Sequence, residues 1–98
     1  MNRIFLAFVV TIFSQPAFAG DIAAGKASAI TCTACHGTAG ISPSEFWPNL
    51  AGQKEAYLIK QIKAFRDGDR DGPMMAQKVK PLSDSDVENL AAYFSSLK

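Results

Sequence analysis

The sequence predicts an all-α domain, three main helices joined by long loops, and three observations carry that reading. Apolar residues recur at helical spacing in the second half: Leu58, Ile62 and Phe65, then Val87, Leu90, Ala91, Phe94 and Leu97. No segment reads as a strand, which would alternate with a period of two. The turn-forming residues are gathered between the periodic segments, at Gly37, Gly40, Pro43, Pro48 and Gly52 and again at Gly68 and Gly72.

Residues 1–19 have the features of a secretory signal. Arg3 gives a positive start, Ile4 to Phe13 an apolar run, and Ala17-Phe18-Ala19 a small-x-small cleavage site. The apolar run is too short for a membrane-spanning helix, which takes about 20 residues. Cleavage after Ala19 is expected to leave one small domain, residues 20–98, in a disulfide-permissive compartment outside the cytoplasm, with no stable membrane insertion. Loss of Arg3 from the ten Lys and Arg leaves nine, against nine Asp and Glu. Such an even balance lacks the basic stripe of a nucleic-acid-binding protein. A core of this size rarely supplies more than about 3–5 kcal/mol without a staple, and a covalently held group with large apolar faces would be one.

Asp21 is a candidate N-cap for a first, alanine-rich helix from Ile22 toward Cys35. Its interior Gly25 costs about 1 kcal/mol against alanine, which a close helix crossing would explain. From Gly37 to Gln53 the pattern is that of a loop. This loop carries Ile41, Phe46, Trp47 and Leu50, and is therefore expected to fold over something apolar. Lys54 to Arg66 is the second helix, with Glu55 in its first turn, Lys63 and Arg66 near its end and Gly68 as its stop. A polar stretch and Pro73-Met74-Met75 then read as a loop. The last helix begins at a capping box, Ser83 with Asp86, flanked by Leu82 and Val87 as a hydrophobic staple.

The run Cys32-Thr33-Ala34-Cys35-His36 is the attachment signature of a c-type haem. Two thiols add to the porphyrin vinyl groups and the neighbouring imidazole binds the iron. On a helix, positions 32, 35 and 36 share one face. A structural zinc site would need two further Cys or His ligands, and the sequence has neither a third cysteine nor a second histidine. A thioredoxin-type C-x-x-C would sit in a βαβ setting, which is missing. A plain disulfide leaves His36 unexplained.

An iron held by His36 has a second axial position. With no other histidine in the chain and Met1 removed with the signal, the candidate donors are Met74 and Met75. Methionine is often a core gap-filler, but two of them directly after a proline between two helices fit a ligand better. Met/His ligation of haem c raises the iron's potential. A second motif competes nearby. Asp67-Gly68-Asp69-Arg70-Asp71-Gly72 matches the opening of an EF-hand loop, but its twelfth position is Lys78 where calcium needs a bidentate glutamate. A solvated turn is the better reading.

Cys32-Thr33-Ala34-Cys35-His36-Gly37, Pro48-Asn49-Leu50-Ala51-Gly52-Gln53, Tyr57-Leu58, Ala64-Phe65-Arg66, Leu82-Ser83-Asp84 and Ala91-Ala92-Tyr93-Phe94 together resemble a class I cytochrome c. The resemblance is to the bacterial cytochrome c553 and cytochrome c4 group, over nearly all of residues 20–98. It implies a small cytochrome c fold, three main helices and loops wrapped around one covalently attached haem c, with Cys32 and Cys35 as thioethers and His36 as axial ligand. Met75, seven residues before Leu82, is implied as the other axial ligand, with Met74 the alternative. The resemblance further implies that Pro43 offers its carbonyl to the His36 imidazole, and that Gly25 and Tyr93 mark the crossing of the first and last helices.

The function it implies is periplasmic electron transport between redox protein partners, without catalytic residues or substrate turnover. The alternative is the same domain as the haem subunit of a larger periplasmic oxidoreductase, for instance one oxidising sulfur compounds. A third class, a haem enzyme or gas sensor, requires that neither methionine bind. Two-haem members of the group repeat this domain, which leaves room for a homodimer here.

Overall fold

Asp21 opens the first helix as expected. Its Oδ1 accepts the backbone N–H groups of Ala23 and Ala24 at 2.9 and 3.2 Å, satisfying two donors that no helical carbonyl can reach. The computed structural model describes residues 20–98; the signal expected over residues 1–19 lies outside them. The described residues form five helices, α1 (Ile22–Ser28), α2 (Ile30–His36), α3 (Glu55–Asp67), α4 (Pro73–Val79) and α5 (Asp84–Ser96), and no strand.

The expectation of one helix from Ile22 toward Cys35 is corrected to two. Ala29, at φ −73° and ψ −9°, departs from the helical ψ of about −42°. Its N–H is shared between the carbonyls of Gly25 and Lys26, and its own carbonyl takes the N–H of both Cys32 and Thr33. One residue thus redirects the chain with its hydrogen bonds intact. Ala29 is only 1% exposed, so the bend is packed into the core.

The Pro73-Met74-Met75 segment, expected as a loop, is also helical. Pro73 sits in the first turn, where its fixed φ suits the helix and its missing N–H costs nothing. Met-Met-Ala-Gln-Lys are all strong helix formers. The polar turn masked a start signal that lay in the proline itself.

The core is built on α5. Val87, Leu90, Ala91 and Phe94 are essentially inaccessible, and the last three pack with Ala29, Leu58 and Tyr93. Full burial of each large apolar side chain contributes about 1.5–3 kcal/mol. α1 crosses α5 at Gly25, where an added Cβ would overlap the Asn89 carbonyl and press on the Tyr93 side chain. The N–H of Asp21 donates to Asn89 Oδ1 at 2.8 Å beside the same crossing. The family-implied meeting of Gly25 with Tyr93 is therefore present.

α3 leans on α5 through Leu58 and is locked at its far end. Gly68, at φ +85°, ends the helix in the left-handed conformation, and Asp69 and Arg70 both donate to the Ala64 carbonyl. Arg66 ties this end to the start of α5. Its guanidinium donates to the Leu82 carbonyl at 3.2 Å and pairs with Asp84 at 2.9 Å. α5 itself starts at the expected capping box: Ser83 Oγ accepts from the Asp86 N–H, and Asp86 Oδ2 accepts from the Ser83 N–H, each at 3.0 Å.

Residues 37–53 carry no helix, as expected, and Lys54, expected inside the second helix, is its N-cap. Leu50 and Ala51 both donate to the Gly40 carbonyl, which closes the loop on itself. Gly52 donates to the Phe94 carbonyl at 2.9 Å and pins the loop's end to α5.

Candidate functional site

α2, the loop after it, α3 and α4 enclose a cavity of about 510 Å³ whose floor is Leu90 and Phe94 of α5. That volume suits a bound organic group, in the range of about 300–1,000 Å³ typical of ligand sites. Cys32, Cys35 and His36 line it together, so the one-face spacing read from the motif holds. Leu58, Ile62 and Phe65 of α3 and Leu50 of the loop add apolar walls. Phe46 and Trp47 also line the cavity, but Phe46 is 84% exposed, so the loop covers the cavity only in part. Ile41 is exposed and takes no part in the lining.

His36 is the most constrained side chain of the site. It ends α2 and is buried, and its Nδ1 lies 2.8 Å from the Pro48 carbonyl oxygen. A carbonyl only accepts, so Nδ1 carries the proton and Nε2 is left with the lone pair a metal needs. The expectation that Pro43 would accept this hydrogen bond is corrected: the acceptor is Pro48, and Pro43 is exposed. Gly37, at φ +89°, turns the chain away from α2, and the ties from Leu50 and Ala51 to Gly40 bring it back. The returning strand of the loop, not its outward arm, therefore reaches the imidazole. Asn49 Oδ1 accepts the Ser42 N–H at 2.7 Å and holds the two arms together. Pro48-Asn49-Leu50 had been singled out in the sequence, but nothing local says which proline carbonyl closes on the histidine.

The two sulfurs of α2 are not bonded to each other. Burial pushes the Cys32 thiol above its ordinary pKa, against the smaller opposing effects of a Thr31 hydrogen bond and the Lys78 charge. Among the described residues no group of three His, Cys, Asp or Glu side chains gathers as a metal site. The EF-hand-like run is a solvated turn: Asp67 pairs with Arg66 at 2.9 Å.

Both methionines of α4 line the cavity, and they differ in exposure. Met74 is 63% exposed and Met75 is half-buried. An apolar cavity with two thiols on one helix, an imidazole with its free nitrogen fixed by a partner, and thioethers from another element is a donor set that fits a covalently attached haem. Sequence reading missed Gln61 and Arg70, which also line the cavity. Gln61 lies on a helix and Arg70 in a turn, and neither belongs to a motif of haem attachment.

Comparison with known proteins agrees with this geometry. The family model for cytochrome c matches residues 22–98. The chain is 43% identical to cytochrome c4 of Pseudomonas aeruginosa, over 100% of this chain and 50% of the relative. It is 48% identical to cytochrome c-554(548) of Halomonas halodenitrificans, over 80% of this chain and 98% of the relative. The crystal structure of reduced recombinant cytochrome c4 from Pseudomonas stutzeri superposes with a TM-score of 0.78 at 44% identity, covering 82% of this chain and 47% of that one. The chain thus spans about half the length of the cytochrome c4 relatives and nearly all of the cytochrome c-554(548). Family, donor set and cavity coincide, and the chain belongs to the cytochrome c family, with a covalently attached haem c as its cofactor.

Proposed function

We propose that this domain is a one-electron carrier of the periplasm, exchanging electrons with redox protein partners and turning over no substrate of its own. Cys32 and Cys35 would hold the haem as thioethers, and His36 Nε2 and Met75 would bind its iron. When bound, the haem supplies a ferrous–ferric couple. The observation that carries the reading is that imidazole and thioether, from separate elements, line one apolar cavity. With His36 and Met75 both bound to the iron, exogenous ligands would find no open site on it.

The chain's own residues then do three things. Pro48 fixes the His36 ring through Nδ1–H, which holds Nε2 in one direction and strengthens it as a donor. Leu58, Leu90 and Phe94 exclude water from the floor of the cavity, and a dry surrounding is one of the levers on a haem's potential. The half-buried position of Met75 supports it over Met74, because a ligand must face the cavity rather than solvent.

The periplasmic placement rests on the signal features of residues 1–19, with cleavage after Ala19. Among the described residues no helix is long and apolar enough to cross a membrane. A partner would dock at the partly covered mouth by Phe46 and Trp47, over the small areas usual for redox encounters, below about 1,200 Å². The test is carbon monoxide added to the native ferrous protein at neutral pH. A spectrum that does not change on mixing is expected. Rapid formation of a carbonyl complex would mean an open sixth position and would overturn the carrier reading.

A further inference from the structure

The two methionines of α4 are neighbours in sequence and stand on different faces of the helix. Val79 is 2% exposed and Met75, four residues before it, is half-buried, so this pair faces inward. Successive residues are set about 100° apart around a helix, which carries Met74 toward the outer face. Met74 is 63% exposed and is no part of the apolar cluster that forms the core. Both methionines nevertheless line the same cavity. The exposed thioether therefore stands at the mouth, directly beside the one that the carrier reading gives to the iron.

A thioether is oxidised when a lone pair of its sulfur attacks an electrophilic oxygen. The sulfur must be reachable from solvent, and the lone pair must be free. Met74 meets both conditions. Met75 is half-buried in the cavity lining, and on the carrier reading its lone pair is given to the iron. The two cysteine sulfurs are also less exposed than Met74. A buried methionine fills gaps in a core, and its oxidation breaks the packing around it. At Met74 the added polar oxygen meets water instead, so the fold can carry the product.

We propose that Met74 is an oxidation site, which takes an oxygen atom from a peroxide ahead of the iron ligand Met75. This rests on the haem-carrier reading above. The Met74 sulfur forms a bond to one peroxide oxygen as the O–O bond breaks. Sulfur gives up two electrons and the peroxide takes them. With hydrogen peroxide the products are methionine sulfoxide at position 74 and one water, which carries both protons of the peroxide. An oxidant that reaches the mouth is spent on a side chain that the iron does not use.

The test is peptide mapping of the ferric, haem-loaded protein after brief exposure to dilute hydrogen peroxide, for the native chain and Met74→Leu. Trypsin cuts after Arg70 and after Lys78, and the peptide between them, residues 71–78, holds both methionines and no other sulfur. Fragmentation between Met74 and Met75 then places the added oxygen. In the native chain the mass of one oxygen atom is expected on Met74, with Met75 unmodified and the far-red band of methionine ligation retained. Met74→Leu, a change at an exposed position, is expected to abolish oxygen uptake by this peptide at the same dose. Oxygen found first on Met75, on both residues equally, or on neither would overturn the proposal. So would oxygen on the Met74→Leu peptide at that dose, or a band lost in step with oxygen on Met74 alone. The band recorded before peroxide is added reports separately on the carrier reading.

Discussion

The crossing of α1 on α5 and the wall formed by α2, its loop and α4 sit side by side and are built on opposite terms. At the crossing the chain is its own partner. Gly25 lets two backbones touch, Asn89 bonds back to Asp21, and Val87, Leu90, Ala91 and Phe94 are closed off from water. Across the cavity the chain stops short of itself. Phe46 and Met74 are largely exposed, and apolar side chains of α3 face a space instead of another helix. The difference shows which contacts the polypeptide makes alone and which it leaves for the cofactor. Leu90 and Phe94 belong to both regions, so the finished core bridges them.

The comparison breaks most sharply at Gly25. Gly25→Ala puts a methyl group into the Asn89 carbonyl, and neither backbone can yield without separating the helices. A loss of about 3 kcal/mol is expected, at the upper end of usual overpacking costs, measured by denaturant unfolding of the haem-loaded protein. The visible spectrum of the folded fraction should stay native, because this crossing does not line the cavity. A spectral change at Gly25→Ala would mean that the two regions are not separable.

A smaller effect is expected at Ser83→Ala, which removes one half of the capping box at the start of α5. The expected cost is about 1 kcal/mol, read as a shift of the unfolding midpoint at constant slope. Ligation and potential should again be unchanged, since the cap serves the self-contained half of the molecule.

The sequence revealed these two regions unequally, for physical reasons. Elements whose partners lie within a few residues were legible: the Asp21 cap, the Ser83–Asp86 box, the Gly68 stop and the C-x-x-C-H face all depend on local geometry. Gly25 was legible too, as an interior glycine with no local reason to be there. The bend at Ala29 was not, because alanine carries no breaking signal and only burial beneath α5 makes the bend worthwhile. α4 was misread as a loop because the polar turn before it drew attention away from a proline at a helix start. The choice of Pro48 over Pro43 depends on how residues 37–54 close upon Gly40, a long-range outcome that no spacing rule encodes. Gln61 and Arg70 were passed over because their chemistry appears only when α3 and the turn after it face the same cavity.

The central claim is that the cavity closes on an iron held by His36 and Met75, which makes the site an electron carrier. The far-red absorption band of methionine-ligated ferric haem c, recorded for the native protein, Met75→Ala and Met74→Ala, tests it most directly. The account predicts the band in the native protein and in Met74→Ala, and its complete loss in Met75→Ala. A band that survives in Met75→Ala and disappears in Met74→Ala would move the ligand by one residue. No band in the native protein would contradict the account at its root.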